Sequence, residues 1–179
     1  MAKYGLLVDL SKCIGCGSCT VTCQAQNQLY SQEHWVRVEI KEEGTFPAVT
    51  KNFLPVSCMH CDKPPCVSVC PTGANYKRPD GIVLVDETRC VGCKYCVVAC
   101  PYQARVFIEE RGIPQKCVLC YLRVEKGVQP ACVLACPAKA RYFGDYDDPD
   151  SEVSRMRVQK KAVQLRPDLG TGPNIYYVR

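Results

Sequence analysis

The sequence predicts an α+β chain in which short strands, cysteine loops and short helices alternate in two units of one design, one inserted within the other. Three observations predict it. Cysteine accounts for 16 of 179 residues, a density that marks a scaffold organised by its cysteines. Those cysteines fall into four similar runs, each a set of three followed by a fourth, and an internal repeat of this kind decides the architecture. The segments between the runs are short and rich in alternating apolar residues, which suits strands and leaves room for only brief helices.

The clearest run is Cys90-Val91-Gly92-Cys93-Lys94-Tyr95-Cys96-Val97-Val98-Ala99-Cys100-Pro101. Its spacing is that of bacterial ferredoxins, in which three cysteines hold one [4Fe–4S] cluster and the fourth ligates the other cluster of a pair. Three thiolates on a tight loop can face three irons of one cube. The fourth lies beyond reach of that cube, so the run requires a partner run elsewhere.

Taken in order, residues 4–10 read as a strand feeding the first run, Cys13, Cys16, Cys19 and Cys23. A short helix is expected from Cys19 to about Asn27. Gln24 stands where the other runs have proline, so this helix can continue further. Residues 35–40 alternate, Glu42-Glu43-Gly44 is a turn, and residues 49–56 form the returning strand of a hairpin. The second run, Cys58, Cys61, Cys66 and Cys70, has two extra residues in its middle gap, including Pro64-Pro65. Residues 81–86 form a strand before the third run, and residues 104–110 another after it. Cys117 and Cys120 open the fourth run, which closes on Cys132 and Cys136 after an insertion, residues 121–131, expected as a surface excursion. Residues 141–145 read as a strand. Ser151 and its acidic neighbours suit the start of a helix to about residue 162. Residues 163–165 and 174–178 can pair as a hairpin.

The three-plus-one rule assigns every cysteine. Cys13, Cys16 and Cys19 take Cys136 as the first cluster's ligands; Cys117, Cys120 and Cys132 take Cys23 as the second's. Cys58, Cys61 and Cys66 take Cys100 as the third's; Cys90, Cys93 and Cys96 take Cys70 as the fourth's. None is left over, and a chance pattern would leave orphans. The expected fold is therefore two ferredoxin-like units, each for two [4Fe–4S] clusters. Residues 49–101 form the inserted unit, residues 1–48 and 102–150 the split outer unit, and residues 151–179 a terminal helix and tail.

Other uses of cysteine fit less well. Thiols two residues apart bond poorly to their near neighbours as disulfides, and the first residues lack the apolar core and cleavage site of a secretory signal. Tetrahedral zinc uses pairs and has no need of a third cysteine with a fourth left for another site. The formal charge is +5 with cysteines neutral. With 16 thiolates on four clusters of 2+ core it becomes about −3, so the basic balance is no argument for nucleic acid; Lys and Arg are read as balancing anionic clusters. No apolar stretch approaches the ~20 residues that cross a bilayer.

These motifs, with Cys66-Val67-Ser68-Val69-Cys70-Pro71-Thr72-Gly73-Ala74, Cys100-Pro101-Tyr102-Gln103-Ala104-Arg105, Phe143-Gly144-Asp145 and Asp148-Pro149-Asp150-Ser151, resemble the four-cluster iron–sulfur (beta) subunit of the molybdopterin oxidoreductase, or DMSO reductase, family. The tail Leu165-Arg166-Pro167-Asp168-Leu169-Gly170-Thr171 is most similar to the polysulfide-reductase-type branch. The resemblance implies a conducting wire. It runs from a molybdenum or tungsten pterin catalytic subunit through the Cys13/Cys136, Cys23/Cys117, Cys58/Cys100 and Cys70/Cys90 clusters in turn. It ends at a separate integral-membrane subunit that reacts with quinone. It also implies a complex on the periplasmic side of the cytoplasmic membrane, the cytoplasm being the alternative.

Beyond the ligands, backbone amides near Gly15, Gly17, Gly92 and Ala135 are the expected donors to sulfur. Ile14, Val67, Val69, Val91, Val97 and Val98 are expected to shield the cubes from water. His60 reads as a solvated or structurally hydrogen-bonded histidine, His34 as a surface one, Lys94 as an exposed cation and Trp35 as hairpin core. No nucleophile–base constellation, dinucleotide loop or P-loop is present, so the chain is expected to transfer electrons and make no bonds. The competing function is a soluble polyferredoxin-like carrier, or the electron-donor subunit of a hydrogenase or cytoplasmic formate dehydrogenase.

Overall fold

The computed structural model describes residues 2–30 and 32–179. Its elements run β1 (Tyr4–Asp9), α1 (Ser18–Asn27), β2 (Val36–Glu43), β3 (Thr50–Ser57), α2 (Pro65–Ser68), β4 (Asn75–Lys77), β5 (Val83–Val85), α3 (Tyr95–Val98), β6 (Val106–Ile108), β7 (Ile113–Gln115), α4 (Tyr121–Val124), α5 (Ala131–Leu134), β8 (Arg141–Asp145), α6 (Glu152–Gln159), β9 (Val163–Gln164) and β10 (Ile175–Val178). The mixture of short strands and short helices is the expected one.

One sheet, in the order β8-β1-β10-β9, organises the ends of the chain. β1 has no polar–apolar alternation because both its faces are covered. Leu6 and Val8 join Ile175, Tyr177, Cys19 and Cys23 in the main core. Leu7 faces the other way, onto Val153, Tyr146 and Val178. The second cluster is the buried side of α6, which starts at Ser151, whose hydroxyl accepts the Ser154 amide at 3.3 Å. Antiparallel pairing sets Leu7 against Tyr142 and Val8 against Arg141. The first cysteine run begins just after β1 and the fourth ends just before β8, so this pairing brings them together.

The connections between successive runs are hairpins. β2 pairs with β3 from Val36↔Ser57 to Glu43↔Thr50, β4 with β5 through Asn75↔Val85, and β6 with β7 through Ile108↔Ile113. Each hairpin returns the chain to the cysteine loops it left.

The third cysteine of every run occupies the second position of a helix: Cys19 in α1, Cys66 in α2, Cys96 in α3 and Cys132 in α5. The two tightly spaced runs enter that helix through a left-handed residue, Gly17 or Lys94. The two runs with an enlarged gap enter it through extended Pro64 or through Pro130. Proline fixes φ near the helical value and loses no hydrogen bond at a helix start, so it does by rigidity what the left-handed turn does by geometry.

Several expectations change. The strand expected over residues 104–110 is only β6; a turn at Glu109–Arg111 reverses it into β7. The insertion at residues 121–131 runs over the surface as expected, with residues 122 and 125–129 exposed, but it is tied down. It contains α4, buries Val124, and ties Arg123 to Gln26 at 2.9 Å and Glu125 to Arg78 at 2.7 Å. β9 and β10 pair as expected, but β10 also runs parallel to β1, Leu6 against Ile175. Residues 171–174 strap the second run: Asp62 N–H donates to Gly172 O at 2.7 Å, Lys63 N–H to Thr171 O at 2.9 Å and Asn174 N–H to Met59 O at 2.8 Å.

Val153 is fully buried against β1, whereas Val158 on the same helix is 71% exposed. Val153→Ala should cost about 2 kcal/mol of stability and lower Tm by about 4–8 °C. Val158→Ala should leave the melting curve, followed by circular dichroism, where it was.

Candidate metal centres

The sixteen cysteines line four separate voids, four to each. Cys13, Cys16, Cys19 and Cys136 surround one, together with Ile14, Val38, Pro55 and Arg141. Cys23, Cys117, Cys120 and Cys132 surround another, with Leu6, Trp35, Val36 and Leu119. Cys58, Cys61, Cys66 and Cys100 surround a third, with Tyr102, Arg105 and Lys116. Cys70, Cys90, Cys93 and Cys96 surround the fourth, with Thr72, Asn75 and Lys94. In each ring three cysteines come from one run and the fourth from another.

The rings differ in exposure. Cys16 of the first and Cys93 of the fourth are exposed, while the second and third expose no cysteine beyond the intermediate Cys120 and Cys100. Burial pushes the Cys23 and Cys61 thiols up to about 12 and raises Cys117 well above the usual thiol value. Holding such groups as thiolates falls to a bound metal, and binding releases their protons. At Cys70 burial works against ionisation, yet the Asn75 and Thr72 donors bring the thiol down to about 7.

Donors to sulfur come partly from loop amides, Ser18 beside Gly17 at Cys16 and Leu119 at Cys117, and partly from outside the loops. Asn75 N–H points to Cys70 Sγ at 3.4 Å, Ala140 N–H to Cys136 Sγ at 3.3 Å, Leu119 N–H to Cys117 Sγ at 3.4 Å, and Asn27 Nδ2 to Cys23 Sγ at 3.4 Å. At Cys70 and Cys136 the chain turns back at the following proline and offers an amide four or five residues on. The signal is legible as Cys-Pro-x-x-Ala at residues 70–74, 100–104 and 136–140.

The apolar shield is also smaller than expected. Val67 and Val97 pack against Cys66, Cys96 and Val83. Ile14 and Val91 edge their voids but stay 61% and 68% exposed, Val69 is exposed, and Val98 is 87% exposed. A one-turn helix such as α3 can bury only Cys96 and its neighbour; the rest of the turn faces out. Trp35 is buried in the core as expected, and His34 is exposed. His60 is not solvated. It is 1% exposed, and its Nδ1 accepts the Val83 N–H at 3.0 Å. Burial, then Lys116 and Arg105, hold its pKa well below the usual imidazole value. Lys94 stands 3.7 Å from the centre of the Phe107 ring, so it is partly engaged.

An anionic cluster fits these rings. Arg105 and Arg141 are 7% and 5% exposed, and guanidinium nitrogens of each have no hydrogen-bond partner. Among the described residues buried Lys116 donates only to the carbonyls of Val83 and Cys117. Buried cations persist when negative charge compensates them, and four-thiolate clusters supply it.

The fold and rings are those of a ferredoxin-type iron–sulfur protein. Residues 49–146 match one family model described as a 4Fe-4S dicluster domain, and residues 12–74 match a second with the same description. The sequence is 39% identical to a polysulfide reductase chain of Wolinella succinogenes, covering 98% of this chain and 94% of that one. It is 46% identical to a tetrathionate reductase subunit of Salmonella typhimurium, covering 98% and 72%. It is 36% identical to the arsenate respiratory reductase iron–sulfur subunit of Shewanella sp., covering 99% and 96%. The chain therefore belongs to the family of iron–sulfur electron-transfer subunits of the molybdopterin oxidoreductases.

The loop around the first ring is constrained by Phe53. A Cβ on Gly15 (φ +68°) would stand 2.3 Å from the Phe53 ring, whereas one on Gly17 (φ +73°) meets nothing within 4 Å. Both Gly→Ala variants should carry the ~1–2 kcal/mol of left-handed strain. Gly15→Ala should in addition lower iron content and the temperature at which visible absorbance bleaches. Equal behaviour of the two variants would remove Phe53 from the account.

Proposed function

We propose that the chain holds four [4Fe–4S] clusters, one per ring. It carries electrons between a molybdopterin catalytic subunit and a separate integral-membrane subunit that reacts with quinone. The observation that carries this reading is the composition of the rings: each gathers three cysteines of one run and the fourth of another. Cys13, Cys16, Cys19 and Cys136 would ligate the first cluster; Cys23, Cys117, Cys120 and Cys132 the second; Cys58, Cys61, Cys66 and Cys100 the third; Cys70, Cys90, Cys93 and Cys96 the fourth. Each bound cluster supplies one-electron outer-sphere chemistry.

Further features support it. Among the described residues no three His, Cys, Asp or Glu side chains converge to single-ion spacing. Tetrahedral zinc would draw four sulfurs to about 3.8 Å of one another, so rings around voids suit a cube better. The exposure of Cys16 and Cys93 supports reading the first and fourth rings as the ends of the wire, where partners approach, and the more buried second and third rings as its interior. The names of the relatives, which are those of reductase components, agree with a catalytic partner. No helix among the described residues is long and apolar enough to cross a membrane; contact with a membrane is assigned to the separate subunit, on its periplasmic side. The pairing of β1 with β8, and of β4 with β5, supports the reading of residues 49–101 as a unit inserted between residues 1–48 and 102–150.

Anaerobically isolated protein should contain about 16 irons and as many acid-labile sulfides per chain; a value near 8 would sink the ligand assignment. Cys100→Ser should reproduce the EPR loss seen in Cys61→Ser, not that in Cys93→Ser. Isolated from its source, the chain should co-purify with a large pterin-containing subunit.

A further inference from the structure

The third and fourth runs end in the same six-residue pattern, Cys-Pro-x-x-Ala-Arg, at residues 100–105 and 136–141. The second run ends Cys70-Pro71-Thr72-Gly73-Ala74-Asn75, with asparagine in the place of arginine. The pattern delivers one arginine to each pair of rings. Both arginines are at least nine-tenths buried, and Nη1 and Nη2 of Arg105 and Nε and Nη1 of Arg141 lack any hydrogen-bond partner.

We infer that Arg105 and Arg141 are twin counter-cations, each seated between the two cluster sites of one unit, and that each raises the reduction potentials of its own pair. The inference rests on the ligand reading above. Arg141 lines the first void, on β8 opposite Val8. An arginine stays protonated in proteins, and the sulfurs that act on this one are Cys132 and Cys19, with Cys117 behind them. Those sulfurs belong to the second ring and the first. Arg105 lines the third void. The sulfurs that act on it are Cys66, Cys96 and Cys58; these belong to the third ring and the fourth. A cluster gains one negative charge on reduction, so a fixed buried cation favours the reduced form and moves the potential up. An exposed lysine is screened by water and salt; these two side chains are not.

The first and second rings offer the cleaner measurement. Arg141 is the one cationic side chain lining the first void, and no cationic side chain lines the second among the described residues. Lys116 remains beside the third ring when Arg105 is changed.

The test is an EPR-monitored redox titration of the full chain carrying its clusters, unmodified and as Arg141→Gln, Arg141→Lys and Arg105→Gln. In Arg141→Gln two of four potentials should fall by at least the equivalent of a tenfold change in the reduced-to-oxidised ratio, about 59 mV for one electron. Arg105→Gln should lower the other two. Arg141→Lys should recover most of the fall. Should Arg141→Gln keep only about half its iron while Arg141→Lys keeps all of it, the counter-cation role stands. Full iron with four unmoved potentials overturns it, as does an equal shift of all four. Loss of iron from Arg141→Lys as well as Arg141→Gln also overturns it, because the residue then acts through packing. An iron content far from 16 in the unmodified chain defeats the ligand reading instead, which keeps the two failures apart.

Discussion

Antiparallel pairing of β1 with β8 sets Val8 against Arg141 across more than half the chain, and the outer rings depend on that register. A cysteine run cannot enclose its own fourth thiol, so each fourth cysteine must find a ring built by a distant run. For Cys23 and Cys136 that run lies about a hundred residues away, and the sheet that pairs β1 with β8, together with the packing of α1 against α5, holds the two together. β1 meets the demand by being apolar on both faces. Leu6 and Val8 seal the side toward the rings, and Leu7 seats α6 on the other. A strand buried on both faces has strongly specified register, since a slip of one residue would exchange its faces.

The second constraint is electrostatic. Sixteen cysteine sulfurs in 179 residues are threaded through the apolar core, and the burial that protects the inner rings also resists their ionisation, as at Cys23 and Cys61. The chain answers with cations in its interior, Arg105, Lys116 and Arg141, and with few buried acids. Of these, Asp9 is held by Lys160 at 2.7 Å. The interior charge therefore has the sign that suits anionic guests, and a formally basic sequence says little about the sign of the loaded protein's surface.

Much of this was legible in the sequence. The four runs specify which cysteines share a ring because spacing limits what a short loop can reach, and the same grouping recurs around the four voids. β8 and the helix beginning after Ser151 were legible from alternation and capping. Long-range consequences were not. Nothing local to Ile175–Val178 indicates a parallel partner among the first residues, because parallel pairing leaves no turn to read. For His60 the sequence leaves open a solvated or a structurally hydrogen-bonded side chain; the second holds, because the strap at residues 171–174 and β5, both remote in sequence, bury it. The shield failed for a simpler reason: Val98 and Val91 belong to segments too short to turn every apolar side chain inward.

The parallel strand has a consequence for how the molecule is made. β10 lies beside β1 in the finished sheet, and residues 171–174 fasten the second cysteine run. A ribosome delivers the first run roughly 150 residues before these partners emerge, at ~5–20 residues per second. For about 8–30 s the nascent chain offers its earliest thiols without the strand that lies beside β1 in the finished sheet. Cys136, the fourth cysteine around the first void, also emerges more than 100 residues after Cys19. That ring is therefore complete only late in synthesis, however early its first three thiols appear.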